Sequence, residues 1–127
     1  MADLTSADLS DADLRNSDLE KALMRGARMN DANLGSTYLK RGDLTDAQMT
    51  SVLAQDANFE RTTLAQAILH GADFSGADMY RSDLQSAELS GVRIKRAGRI
   101  PARLVLGNAQ YRPEMQGYRP PRDIYVP

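Results

Sequence analysis

The chain has 127 residues, 42% of them hydrophobic, and a formal net charge of −1. One domain is the expectation at this length. The absence of cysteine excludes disulfides and thiol chemistry and suits a reducing, cytoplasmic setting. No apolar run approaches transmembrane length, so no membrane partner is expected. Met1-Ala2-Asp3-Leu4 enters the main pattern at once, so no signal peptide is expected.

From residue 2 to residue 94 the sequence keeps a five-residue beat, seen plainly in Ala7-Asp8-Leu9-Ser10-Asp11 and Ala12-Asp13-Leu14-Arg15-Asn16. A small residue is followed by a polar one, a large apolar one, and two more polar ones. The apolar centres run from Leu4, Leu9, Leu14 and Leu19 through to Leu84, Leu89 and Ile94, with Ala54 the single lapse. A period of five fits neither regular element. On a helix, successive centres would step by about 140° and spread around the axis. A half-buried strand needs alternation over at least four residues, and here it breaks after three. A chain that turns at a fixed interval fits. Each five-residue unit forms one side of a square, its centre and small residue pointing inward, and four units close a coil of twenty residues. Coils stacked at about 4.8 Å give a column of nearly five turns, about 23 Å long. The inward stacks are then Leu4/Met24/Leu44/Leu64/Leu84, Leu9/Met29/Met49/Leu69/Leu89, Leu14/Leu34/Ala54/Phe74/Ile94 and Leu19/Leu39/Phe59/Met79. Phe74 beside Ala54 suggests a ring filling the space a small neighbour leaves.

With this pattern the chain resembles the pentapeptide repeat family, whose motif is A(D/N)LXX, over roughly residues 2–97. The resemblance implies an all-β fold, a right-handed quadrilateral parallel β-helix. The sequence offers no nucleophile with a base, and a filled column offers no pocket, so the chain reads as a non-enzymatic interaction module without cofactors. Some members, the fluoroquinolone-resistance proteins, act on DNA gyrase by mimicking a DNA duplex.

The sides differ in charge. Outward positions on the first include Asp3, Asp43, Asp46, Asp83 and Arg25, and on the second Asp8, Asp11, Asp31, Glu88 and Arg28, each net −3. The third opposes Asp13, Asp56 and Asp73 to Arg15, Arg93, Lys95 and Arg96, and the fourth mixes Lys21, Lys40, Arg41, Arg61 and Arg81 with acids. Two adjacent acidic sides are compatible with duplex mimicry and gyrase as the partner. The short column, the rarity of phenylalanine and the basic tail argue against it. Rings of acids such as Asp3/Asp8/Asp13/Asp18 lie on four different sides and cannot converge on one ion. They read as turn formers bonding nearby N–H groups, with no metal site. His70 has no second ligand or catalytic partner type nearby and reads as a solvated surface residue. Arg93-Lys95-Arg96 is too short a basic run to indicate nucleic acid beside an acidic body. No catalytic residues are assigned. Of the outward apolar residues Leu23, Tyr38, Leu53, Ile68 and Tyr80, the two tyrosines make the fourth side an interface candidate.

After the β-helix, 1–97, the beat fails. Arg99 at the next centre cannot sit unpaired in an apolar column. Residues 98–106 then read as a cap, either a single helical turn opened by Pro101 or a short extra strand. The N-terminal end has no cap, and its core and backbone edge call for a covering partner or toleration by the surrounding Asp and Ser. The tail, 107–127, repeats Tyr111-Arg112-Pro113, Tyr118-Arg119-Pro120 and Tyr125-Val126-Pro127. Proline favours extended geometry, and tyrosine and arginine anchor interfaces. Residues 95–127 carry seven bases and two acids. The tail therefore reads as a docking arm, with Tyr111, Arg112, Tyr118, Arg119, Arg122 and Tyr125 meeting a protein partner or a neighbouring copy. The other reading lays the tail on its own column.

Overall fold

The computed structural model describes residues 1–95 and 123–125. Residues 1–95 form a four-sided parallel β-helix of nearly five coils. Each residue before a centre bridges in parallel to the one twenty positions later, in an unbroken series from Asp3↔Leu23 to Asp73↔Arg93. The twenty-residue coil inferred from the period is thus the coil observed. Along each side Leu23 N–H bonds Ala2 O below at 2.9 Å, and Leu4 N–H bonds Leu23 O above at 2.7 Å; the other sides repeat this.

Corners explain why a side lasts only five residues. The N–H of each small residue bonds the carbonyl of the preceding centre, as Ala7 does to Leu4 at 3.0 Å. The residue between them, two after the centre, has positive φ at every corner from Ser6 to Gly91. This is the type II turn, whose third position requires φ > 0. Only Gly26, Gly71, Gly76 and Gly91 are glycines there; the other fourteen, such as Asp11, Lys21 and Arg41, have φ of 55–60°. That region costs an L-residue of the order of 1 kcal/mol or more. An inter-coil bond offsets the cost: the same residue's N–H reaches the next coil, as in Ser6 to Arg25 O at 2.8 Å and Arg41 to Glu60 O at 2.9 Å. No β-branched residue occupies any of these positions, consistent with their intolerance of positive φ.

Inside, every centre from Met24 to Ile94 is buried, as are the small residues between them. The small slot is narrow. Where it holds a buried hydroxyl, the group bonds a carbonyl: Thr37 Oγ1 to Leu14 O, Thr62 Oγ1 to Leu39 O and Ser82 Oγ to Met79 O, each 2.8 Å. Phe74 and Phe59 meet edge-on with centroids 5.2 Å apart, and Ala54 is fully buried beside them. Ala54 lies one coil below Phe74, its N–H bonding Asp73 O at 2.8 Å, which is the stacking of ring on small centre that the sequence implies. At the corner above Asp56, a Cβ on Gly76 would require the Asp56 carboxylate to turn aside.

At the top of the column β1, Arg93–Lys95, pairs with β2, Asp123–Tyr125. The pairing is antiparallel, with Arg93 opposite Tyr125, Ile94 opposite Ile124 and Lys95 opposite Asp123. The end of the tail therefore lies on its own column, which is the second of the two readings for those three residues. The expected cap at 98–106 lies outside the described residues.

Phe74→Ala should cost about 3–5 kcal/mol in denaturant unfolding, and Ala54→Leu about 1–3 kcal/mol by overfilling the same stack. Ser36 is exposed, so packing plays no part there. Ser36→Val should lose about 1–3 kcal/mol from backbone strain alone, and Ser36→Gly should lose nothing comparable. Equal losses for the two Ser36 variants would exclude the corner φ as the cause.

Candidate interaction surfaces

The acids before the centres work as turn formers. Each Asp or Asn at that position accepts, through Oδ1, the backbone N–H two residues on: Thr5 to Asp3 at 3.1 Å, Ser10 to Asp8 at 3.1 Å, Glu20 to Asp18 at 3.0 Å, Ser75 to Asp73 at 2.9 Å. Asn33 and Asn58 do the same for Gly35 and Glu60, at 3.0 and 2.9 Å. The acceptor, not the charge, is what the turn requires. These bonds hold several carboxyls below their ordinary range. Arg15, donating from its side chain and its amide, brings Asp13 to about 2. Thr5 lowers Asp3 and Ser10 lowers Asp8 in the same way. At Asp43 burial pulls upward, but bonds from Thr45 and Arg25 together outweigh it; Ser75, Arg93 and Gln55 do likewise at Asp73.

The acidic sides are less bare than their sequence implies. Arg28 bonds Asp8 in the coil below at 2.9 Å and Arg25 lies 3.4 Å from Asp43, while on the third side Arg93 lies 3.9 Å from Asp73. His70 is not simply solvated, since its Nε2 is 2.9 Å from Glu88 Oε2 in the next coil. Among the described residues no group of three or more His, Cys, Asp or Glu is placed to hold a metal ion.

One corner stands apart. The positive-φ residues between the fourth and first sides are Lys21, Arg41, Arg61 and Arg81, all exposed, whereas those of the other three corners include no base. Arg81 sits over the Tyr80 ring at 5.1 Å, and Lys40 pairs with Glu60 at 3.0 Å. Tyr38 on this side is 57% exposed. Leu53 is also exposed, whereas Leu23, Ile68 and Tyr80 are half-buried. This basic corner was not legible from the sums of charge per side. Its signal is the identity of every fifth residue taken four units apart.

The N-terminal end is open. Leu4, Leu9, Leu14 and Leu19 are only partly buried, unlike every centre above them. A shallow depression of about 310 Å³ lies there, lined by Met1, Ala2, Asp18, Leu19, Glu20 and Lys21. At the other end, the backbone of Tyr125 is placed opposite Arg93. Tyr111, Arg112, Tyr118, Arg119 and Arg122 lie outside the described residues. Among the described residues, no helix is long and apolar enough to cross a membrane.

A family model for pentapeptide repeats matches residues 2–41, 42–81 and 57–96. The chain belongs to the pentapeptide repeat family. Its column is the right-handed quadrilateral β-helix of that family. It is similar to the crystal structure of a pentapeptide repeat protein, Rfr23, from the cyanobacterium Cyanothece 51142. That match has a TM-score of 0.70 and 29% identity, over 71% of this chain and 61% of that one. It is also similar in fold to QnrB1, a plasmid-mediated fluoroquinolone resistance protein, with a TM-score of 0.51 and 19% identity, over 73% of this chain and 57% of that one. The pentapeptide repeat chain thus spans less than two thirds of either structure. A search of curated proteins found no match.

Acid should weaken this pentapeptide repeat column in a defined window. Because the folded carboxyls titrate below the unfolded value of 3.8, their contribution is complete above about pH 4 and is lost as pH falls toward 2. Melting temperatures measured from pH 7 to 2 should drop in that interval. Changing Asp3, Asp8 and Asp13 to Asn should flatten the drop while leaving the fold intact at pH 7.

Proposed function

We propose that this pentapeptide repeat protein is a non-enzymatic interaction module whose column presents a basic Tyr-Arg-Pro segment for docking in an assembly. One observation carries the reading. Lys95 and Asp123 are register partners at the upper end of the column, and residues 96–122 separate them in the sequence. That segment contains six arginines and one acid, with Tyr111 and Tyr118 among them. A filled bore gives a substrate no cavity to enter. The aspartates before the centres are already used in turns, and Asp8, Asp43 and Asp73 also in cross-coil pairs. Contact through an end or a side is what remains.

Duplex mimicry on gyrase has less support. The acidic sides carry Arg25 and Arg28 on their own aspartates, and Lys21, Arg41, Arg61 and Arg81 line an adjoining corner. The likeness to QnrB1 is one of fold alone. Gyrase supercoiling unaffected by micromolar protein would remove it.

Sedimentation velocity of the full chain across a concentration series, beside a variant with Arg112, Arg119 and Arg122 changed to Gln, tests the docking role. Association that depends on these arginines is the expected result. Identical behaviour of the two proteins, alone and with any binding partner isolated, would refute it.

A further inference from the structure

The first coil leaves a defined set of backbone groups without partners. In every higher coil the N–H before the centre bonds the coil below, as Leu23 does to Ala2 O. The N–H groups of Asp3, Asp8, Asp13 and Asp18 have no such coil beneath them. By the same register, the carbonyls of those four residues and of Thr5, Ser10, Arg15 and Glu20 point out of the column. Among the described residues none of these groups has a backbone partner. Inside this edge lie the four half-exposed leucines. Around it the charge is one-sided: residues 1–20 contain six acids, Asp3, Asp8, Asp11, Asp13, Asp18 and Glu20, against Arg15 alone, net −5.

At the opposite end β2 already pairs with the last described strand. Residues 96–122, which lie between β1 and β2 in the sequence, carry six bases and Glu114, net +5. Between the two, residues 21–95 carry nine acids and nine bases and are neutral. The first coil is thus acidic around its partly buried leucines, and the strongly basic stretch of the sequence is residues 96–122.

We propose that the occupant of the open first coil is the basic C-terminal end of a second copy, so that the columns associate head to tail. The proposal rests on the docking role given to residues 96–122 and names its partner. Two open ends placed face to face would bring Asp3, Asp8, Asp13 and Asp18 of each copy against their equals, which like-charge repulsion opposes. Head-to-tail contact instead joins −5 to +5 and supplies tyrosine and arginine to half-exposed leucine and unpaired carbonyls. Such an interface is heterologous: each copy keeps one free head and one free tail, and association propagates.

The test uses two full-length variants. Asp3, Asp8, Asp13 and Asp18 are changed together to Asn in the first. Asn33 and Asn58 already make the same turn bond in this chain, so the coil should hold, as thermal melting at pH 7 verifies. Arg112, Arg119 and Arg122 are changed to Gln in the second. By sedimentation velocity, wild type should associate with rising concentration, and 0.5 M salt should weaken this about tenfold or more. Each variant alone should associate at least tenfold more weakly than wild type. An equimolar mixture should form a 1:1 dimer, because one intact head and one intact tail remain. Wild type that stays monomeric at all concentrations overturns the proposal, as does a mixture that forms no dimer. An Asn variant that associates like wild type overturns it too, yet leaves the docking role standing. An arginine variant that associates like wild type removes both.

Discussion

The column depends on a single local event: at every corner the chain places one residue at positive φ, and from Ser6 to Gly76 it hands that residue's N–H to the coil above. The conformation is unfavourable for fourteen of the eighteen residues that adopt it. It persists because the next coil provides the acceptor, so the corner of one coil is stable only when the following coil is in place. Stability is therefore collective along the axis, as expected where each repeat contacts only its neighbours. Where Asp or Asn precedes the centre, its Asx bond fixes the approach to the corner.

That mechanism also determines where function can reside. Turning every five residues leaves room inside for one large and one small side chain per side, and these fill the bore completely from Met24 upward. A solenoid made this way has no interior cavity to elaborate into a site. Its variable positions are those outside the centres and small slots, and its special positions are the two ends, where the ladder of hydrogen bonds has no next rung. The corners add a third possibility. A base held at positive φ is conformationally costly compared with the Gly, Asn, Asp and Ser that serve elsewhere, and this chain bears that cost four times along one edge.

Much of the fold was legible because the period is incommensurate with both helix and strand. Once five was read as a side and twenty as a coil, the stacks, the pairing of Ala54 with Phe74 and the turn role of the aspartates followed from geometry. The positive φ was not read, although its trace was present: Thr occurs beside the corner position, at Thr5, Thr45 and Thr50, and never in it. The basic corner escaped for a related reason, since summing charges over a side mixes Lys21 and Arg41 with the neighbouring Glu20 and Glu60. The pairing of β2 was also not singled out. Asp123-Ile124-Tyr125 offers only three residues of alternation, and the tyrosine rhythm of the tail pointed to an arm rather than to a strand. Strand addition at a sheet edge is directed mainly by backbone groups that the edge leaves open, and these have no signature in the added segment's side chains.

The two ends illustrate how a solenoid manages its edges. At the C-terminal end the chain returns, and β2 occupies the hydrogen-bonding groups of β1, which removes part of the aggregation hazard an open edge carries. At the N-terminal end the four aspartates of the first coil surround the open edge, one on each side. Their charge protects the edge from pairing with neutral strands or with its own equivalent, since burial of an unpaired carboxylate is costly. The same charge admits a cationic segment, for which desolvation is offset by pairing. A rim of this composition thus excludes most partners and favours one class, and it does so without any feature beyond the Asp of the repeat motif itself.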